Sequence, residues 1–316
     1  MNIWEKLPKP FFVLAPMDDV TDTVFRQIIA ETAPPDLFFT EFVNVEALNS
    51  PGREKTLPRL RLDSKKEHPI IAQIWGLNPE NFYKAAQDIA VMGYDGIDIN
   101  FGCPIKNVVA NGACSALILP ENRGRAVEMI QATKEGAPTL PLSVKTRLGY
   151  RNFDLTWHQL LLEQKLNALT IHGRTKSQMS KVPADWGKIG EIRELRDRTS
   201  PTTKIIGNGD VITRAQGSEL ATHYSLDGIM IGRGVFDDPF VFAKKSPWAE
   251  FTKEQKVDLY RQHVELFANT WKNNERKVIT LNKFCKIYIQ GFDGAKESRE
   301  KLMVCKSADE LLINLK

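Results

Sequence analysis

Short runs of apolar and β-branched residues recur along the first three quarters of the chain. Longer stretches separate them, in which apolar positions return every three or four residues. The runs fall at 11–15, 37–42, 70–74, 96–100, 142–146, 168–172, 204–207 and 227–231. Neighbouring positions within a run are both apolar, as in Ile70-Ile71-Ala72. Such a strand is covered on both faces, which is the habit of parallel sheets. The intervening stretches predict helices near 21–31, 80–92, 121–135, 155–165, 187–196, 213–223 and 239–245, with a short helix and an excursion in 43–62. Eight strands alternating with helices over about 240 residues predict an α/β fold, a (β/α)8 TIM barrel. A doubly wound sheet is the alternative, but it carries a glycine fingerprint after its first strand. Here the first run is followed by Pro16-Met17-Asp18.

After Pro247 the pattern is helical only, with candidates at 252–273, 278–291, 294–304 and 307–315. Thr252 and Gln255 have the spacing of a capping box, and Gly291 and Gly294 mark a break. The chain therefore divides into a barrel over 1–246 and a small all-α helical domain over 247–316.

Composition narrows the setting. Apolar residues make up 42% and charged residues 26%, a balance that fills a core. No apolar run reaches the length of a membrane span, and the N-terminus lacks the order of a signal peptide. Cys103, Cys114, Cys285 and Cys305 show no CxxC spacing, so neither a disulfide scaffold nor a metal site is expected. The expectation is a cytoplasmic, monomeric protein. The net charge is +4, and its excess lies late: residues 246–316 hold 13 basic and 10 acidic side chains, the rest of the chain 30 and 29. The excess centres on Lys272, Arg276, Lys277, Lys283 and Lys286. Such a run is either a solvated helix face or a polyanion-binding surface.

In a barrel the C-terminal ends of the strands build the active site. Those ends read Ala15-Pro16-Met17, Gln73-Ile74-Trp75-Gly76, Asn100-Phe101-Gly102-Cys103-Pro104, Lys145-Thr146-Arg147, His172-Gly173-Arg174, Gly207-Asn208-Gly209-Asp210 and Gly232-Arg233-Gly234. The last two predict a phosphate site, where glycine admits backbone N–H groups to an anion and Arg233 adds charge. Gln73 suits the hydrogen-bonding edge of a flavin, and Lys145 the position where reduction builds negative charge. His172 is read as a phosphate or flavin ligand. Cys103 is fixed between glycine and proline at the active end. A thiol there serves as a general acid or, with a base beside it, as a nucleophile. The other three cysteines read as packing.

These motifs, in this order, resemble the tRNA-dihydrouridine synthase family. The matching text is Leu14-Ala15-Pro16-Met17, Val20-Thr21-Asp22, Phe25-Arg26, Gln73-Ile74-Trp75-Gly76, Asp98 through Pro104, Val144-Lys145, Arg147-Leu148-Gly149, Ile171 through Thr175, Asn208-Gly209-Asp210 and Met230 through Gly234. The resemblance implies an FMN barrel that takes electrons from NADPH and reduces the C5–C6 bond of a uridine in tRNA. It implies that Cys103 donates the proton to C5. It puts FMN on Pro16, Met17, Gln73, Lys145, His172, Asn208, Gly209, Asp210, Gly232 and Arg233. Asn100 would hold the uracil. Arg174, Lys283 and Lys286 are taken as further substrate contacts, the two lysines against tRNA phosphates. The chain departs from the family where Asp18-Asp19 replaces a small pair, and where the loop 105–115 carries few glycines. Two rival readings are an FMN barrel of the dihydroorotate or dihydropyrimidine dehydrogenase kind, acting on a free base, and an RNA-binding protein without catalysis. The basic helical tail argues against the first, and Cys103, Gln73 and Lys145 against the second.

Overall fold

The computed structural model describes residues 2–272 and 275–315, apart from the side chain of Lys283. Eight parallel strands carry the predicted runs: β1 Phe11–Leu14, β2 Phe38–Asn44, β3 Ile70–Trp75, β4 Gly96–Asn100, β5 Leu142–Arg147, β6 Ala168–His172, β7 Lys204–Asn208 and β8 Gly228–Ile231. Each pairs with its neighbours in chain order, β8 returns to β1, and a bridge from Val13 to Leu37 joins β1 to the approach of β2. The barrel is thereby closed, and no strand edge is left bare.

The apolar runs are explained by the two layers they serve. Phe11, Val13, Ala15, Phe39, Ile71, Ala168, Ile206 and Met230 form one cluster with Trp4, inside the barrel. Phe12, Leu14, Phe38, Ile70 and Ala72 belong to a second cluster, shared with the surrounding helices. The apolar residues of a strand alternate between these two clusters, so the runs show no solvent-facing side. Trp4 sits on the short helix Ile3–Lys6 and packs against Phe11 at 5.9 Å, closing the bottom of the barrel.

Side-chain caps at the starts of the helices set where the rim loops end. Asp22 accepts from the N–H of Phe25, Asn78 from Glu80, Asp154 from Trp157, Asp185 from Lys188 and Thr213 from Gln216. Each satisfies an N–H that the helix leaves unpaired. The excursion in 43–62 holds two four-residue helices, Val45–Leu48 and Arg53–Thr56, and a 3-10 turn, Leu57–Leu60. The helix expected at 239–245 lies instead at Gly234–Asp237, directly after the glycine-flanked Arg233.

Beyond Pro247 the structure is helical, with Lys253–Thr270, Asn282–Tyr288, Ala295–Met303 and Ala308–Asn314. The capping box of Thr252 and Gln255 is formed. Gly291 and Gly294 adopt φ of +75° and +79°, the left-handed region that breaks a helix at glycine. These helices pack on the first barrel helix, Thr23–Thr32, through Phe25 against Phe284 at 4.9 Å and against His263 at 6.0 Å. Phe284 and Tyr288 are buried, as helical spacing of aromatics implies.

Candidate functional site

The strand register sets rim residues side by side. Asn100 pairs with Lys145, Arg147 with His172, His172 with Asn208, and Asn208 with Met230. Above them opens a cavity of about 720 Å³. Pro16, Met17, Pro104, Lys145, Arg147, His172, Arg174, Asn208, Gly209, Asp210, Gly232 and Arg233 line it, as do Met179 and Ser180 from the loop after β6. Most of the residues expected to hold a cofactor thus share one wall.

One side of the cavity is built for an anion. Gly209 has φ +135°, and a Cβ there would come within 2.6 Å of the Ala184 Cβ, so only glycine fits. Asn208 Nδ2 donates to the Met230 carbonyl at 2.9 Å, tying β7 to β8 beneath the turn. Asp210 pairs with Arg174 and, at 3.1 Å, with Arg233, and accepts the Ala184 N–H at 2.9 Å. Burial raises the Asp210 pKa, but the Arg174 hydrogen bond and the neighbouring cations outweigh it and hold the carboxyl below its usual range. Asp210 therefore acts as a stay for two arginines. Arg174 is buried in the wall, and Arg233 is exposed at the cavity's rim.

The floor is cationic. Burial, with Arg147 beside it, brings the Lys145 ammonium down to about 8. Burial brings Arg147 down to about 10. Burial, reinforced by Lys145, Arg147, Arg174 and Arg233, holds the His172 imidazole far below its usual range, so it is neutral. Its Nε2 lies 3.1 Å from Arg174 Nη1 and accepts that donor. A row of cations around a neutral imidazole is suited to a ligand that carries a phosphate at one end and gathers negative charge at the other. Gly209, Gly232, Arg174 and Arg233 stand at the end suited to the phosphate, and Lys145 at the end where charge would gather.

Two expected site residues stand one layer down. Gln73 is fully buried; its Nε2 donates to Asp98 at 2.7 Å and its Oε1 accepts Asn100 Nδ2 at 3.0 Å. Asn100 Oδ1 accepts the N–H groups of Gly102 and Cys103 at 2.9 and 3.0 Å. The amides form a chain from the barrel interior to the cysteine loop. Asp98 anchors it and also accepts Ser143 Oγ at 2.6 Å; burial raises its carboxyl to about 6. Gln73 and Asn100 therefore spend these groups on the loop.

Cys103 lies beside Pro104 at the cavity's edge and is 8% exposed. The neighbouring Cys114, with help from the Ile105 N–H and Arg147, draws the Cys103 thiol down to about 7 against the opposing effects of burial and Asp18. Arg147 also donates through Nε to the Gly102 carbonyl at 2.7 Å, and through Nη1 to the carbonyls of Thr175 and Met179 at 3.2 and 3.1 Å. One guanidinium thus fastens both the cysteine loop and the loop after β6.

The family model described as Dihydrouridine synthase (Dus) matches residues 13–316. A Bacillus subtilis protein named "Probable tRNA-dihydrouridine synthase 2" is 47% identical over 313 residues, 98% of this chain and 94% of that protein. A Staphylococcus aureus protein named "Probable tRNA-dihydrouridine synthase" is 47% identical over 312 residues, 98% of this chain and 93% of that one. The chain belongs to the dihydrouridine synthase family. Its barrel is also similar to solved structures of an old yellow enzyme homologue from Zymomonas mobilis (TM-score 0.54, 14% identity, 76% of this chain and 90% of that one) and of morphinone reductase (TM-score 0.52, 14% identity, 76% and 89%). At that identity the likeness is one of fold.

The sequence left some features of this dihydrouridine synthase unseen. Cys114, read as packing, is buried in a segment that returns to the cysteine loop, where the Ser115 N–H reaches the Cys103 carbonyl at 3.4 Å. Arg276, counted in the basic tail, is half-buried and packs its guanidinium against the barrel, pairing with Glu41 and, at 3.7 Å, with Asp22. Trp271 Nε1 donates to Asp22 at 3.0 Å, and Arg61 pairs with Glu275 at 3.0 Å, so this stretch clasps helices to barrel. Asp18 and Asp19 face Arg59, which also bonds Glu41 at 3.1 Å; Asp18 is thereby turned away from the anion cradle. The carboxylates of Asp18, Asp19 and Glu41 lie close together, and Arg59 and Arg276 offset part of their charge. Lys277 and Lys286 are exposed, and the Lys283 side chain lies outside the described residues. Among the described residues, no helix is long and apolar enough to cross a membrane.

Proposed function

We propose that this dihydrouridine synthase reduces the C5–C6 double bond of uridines in tRNA, with FMN as its flavin and NADPH as its electron source. The observation that carries this reading is a thiol held beside a cation-lined cavity whose far wall is an anion cradle. The two parts match a phosphate-bearing redox cofactor and a proton donor acting on one substrate bond. When bound, FMN supplies hydride chemistry at C6 of the uracil.

This chain's own residues do the rest. Gly209, Gly232, Arg174 and Arg233 hold the phosphate, and Asp210 keeps the arginines aimed. Pro16, Met17, Asn208 and neutral His172 line the bed, and Lys145 offsets the charge that reduction creates. Asn100 and Gln73 fix the cysteine loop from beneath, next to the uracil and flavin they are proposed to meet. Cys103 gives its thiol proton to C5 and is left as a thiolate beside Arg147. A donor whose pKa lies near the working pH serves that step best. Lys277 and Lys286, both exposed, meet tRNA phosphates, and Lys283, whose side chain lies outside the described residues, is a further candidate. The four cysteines are free and buried, which suits the reducing cytoplasm. The unit is taken as a monomer.

The test is incubation of purified protein with NADPH and unmodified tRNA, followed by nucleoside mass spectrometry. Dihydrouridine in the tRNA, and no reduction of free uracil, is the expected result. Reduction of the free base with tRNA untouched would replace this reading with that of a free-base dehydrogenase.

A further inference from the structure

We propose that Glu41 is a positioning residue for the reaction: through Arg276 it ties the C-terminal helices to the loop after β1 that lines the cavity, and so fixes where a tRNA gripped by those helices presents its uridine. The inference deepens the proposed function and rests on the reading of tRNA as the substrate.

Glu41 stands where β2 departs from regular pairing. Phe39 pairs with Ile71 and Phe42 with Gln73, so β2 carries one residue more than β3 over this stretch. Such a bulge re-aims a side chain and is common beside active sites. Thr40 pins it: its Oγ1 accepts the Gln73 N–H at 3.0 Å and donates to the Glu41 carbonyl at 2.6 Å. The Glu41 side chain is fully buried where three segments meet. Its Oε1 accepts the Asp19 N–H at 2.7 Å and Arg59 Nη1 at 3.1 Å, and its Oε2 accepts Arg276 Nη2. Burying a carboxylate is costly, and the cost is offset only when both oxygens are met, as they are here.

Each link leads to a part of the proposed machinery. Asp19 lies just beyond Pro16 and Met17, which line the cavity. The turn between is stiff: Thr21 Oγ1 accepts the Met17 N–H at 2.9 Å, and the Thr21 N–H donates to the Met17 carbonyl at 3.0 Å. Asp22, where that turn ends, accepts Trp271 Nε1 at 3.0 Å. The Arg276 guanidinium lies over the same Trp271 ring, 5.2 Å from its centre. The next residue, Lys277, is exposed and is one of the proposed phosphate contacts. One buried carboxylate thus stands between a residue that grips the tRNA backbone and the wall that holds the flavin. For so large a substrate, grip and presentation are separate matters. Phosphate contacts set how tightly tRNA binds. The frame that carries them sets where the C5–C6 bond falls against the cavity, and a misplacement of about 1 Å can cost about a hundredfold in rate. Glu41 is buried outside the cavity lining, so it acts through Arg276 and Asp19.

Glu41→Gln and Arg276→Met, made in the full-length flavin-loaded protein, cut this link from its two ends. Glutamine keeps an oxygen for the Asp19 N–H and Arg59 but turns an NH2 group on Arg276. Methionine removes the charge from the half-buried partner, so the link is still tested if the buried substitution prevents folding. Flavin content and flavin reduction by NADPH are expected to match wild type. Binding of unmodified tRNA at fixed salt is expected to be unchanged, because the exposed lysines are intact. Reoxidation of the reduced flavin by saturating tRNA is expected to slow by about ten- to a hundredfold. The double variant is expected to lose no more than either single one, since both cut the same contact. An ion pair that served only stability would lower the melting temperature and leave that rate alone. The wild-type rate at saturating tRNA in either folded variant overturns the inference, as does weaker tRNA binding with the saturated rate intact. Wild type measured alongside separates this from the proposed function. A wild-type flavin that tRNA cannot reoxidise overturns both, whereas wild-type reoxidation with unslowed variants overturns this inference alone.

Discussion

The side-chain oxygen of Asn100 accepts the backbone N–H of Cys103 at 3.0 Å. It takes the Gly102 N–H as well, at 2.9 Å, so one amide at the end of β4 holds the loop that carries the thiol. Asn100→Ala leaves both buried N–H groups without that acceptor. The expected cost is about 2–4 kcal/mol in unfolding free energy, measured by denaturant titration, with tRNA reduction lost more than cofactor content. Unchanged stability would mean that the loop holds itself.

Asp98, at the base of the same chain of amides, has its pKa raised to about 6 by burial. A carboxyl whose folded value lies above its unfolded one binds more protons in the folded state. Stability therefore falls as pH rises from about 4 through about 6, and the penalty is fully present above that window. Asp98→Asn keeps the hydrogen-bonding shape and removes the titration. Relative to wild type, the variant should gain on the order of 2 kcal/mol between pH 4 and pH 7. A parallel pH dependence in the two proteins would assign that titration elsewhere.

Arg233 is the exposed member of the cradle, held by Asp210 at 3.1 Å. Arg233→Ala should weaken FMN binding roughly tenfold or more, read by titration of the apoprotein with FMN. Equal affinity in variant and wild type would move the phosphate to other groups.

What was readable in the sequence follows range of interaction. The eight strands were legible because burial on both faces writes itself as short apolar runs, and the rim followed because nearly every strand ends in, or runs into, a polar or glycine residue. The cradle at Gly209 and Arg233 was legible for the same reason. Contacts between distant segments left no such trace. Nothing near Cys114 says that its loop returns to Cys103, and nothing in the sequence distinguishes Arg276, paired with Glu41, from the exposed Lys272 and Lys277. Gln73 and Asn100 were found as site residues, but their partners depend on register across β3 and β4.

The basic tail separates by the same logic. Lys286 is exposed on the helix Asn282–Tyr288, whereas Arg276 neutralises the buried Glu41. Lys286→Ala should weaken tRNA binding and lower the log–log salt slope by about 0.7–0.9 for one lost phosphate contact. Arg276→Ala should leave that slope unchanged and lower stability, because Glu41 loses one of its two arginines. The reverse pattern would exchange their roles.

Cys103 as the proton donor is the central claim, and one single-turnover measurement tests it most directly. Enzyme reduced with NADPH in the absence of oxygen is mixed with unmodified tRNA, and flavin reoxidation is followed for wild type and Cys103→Ala. The account predicts equal flavin content and equal reduction by NADPH in both proteins, with reoxidation by tRNA slower in the variant by ~10²–10⁴-fold. Reoxidation at the wild-type rate in Cys103→Ala would contradict it.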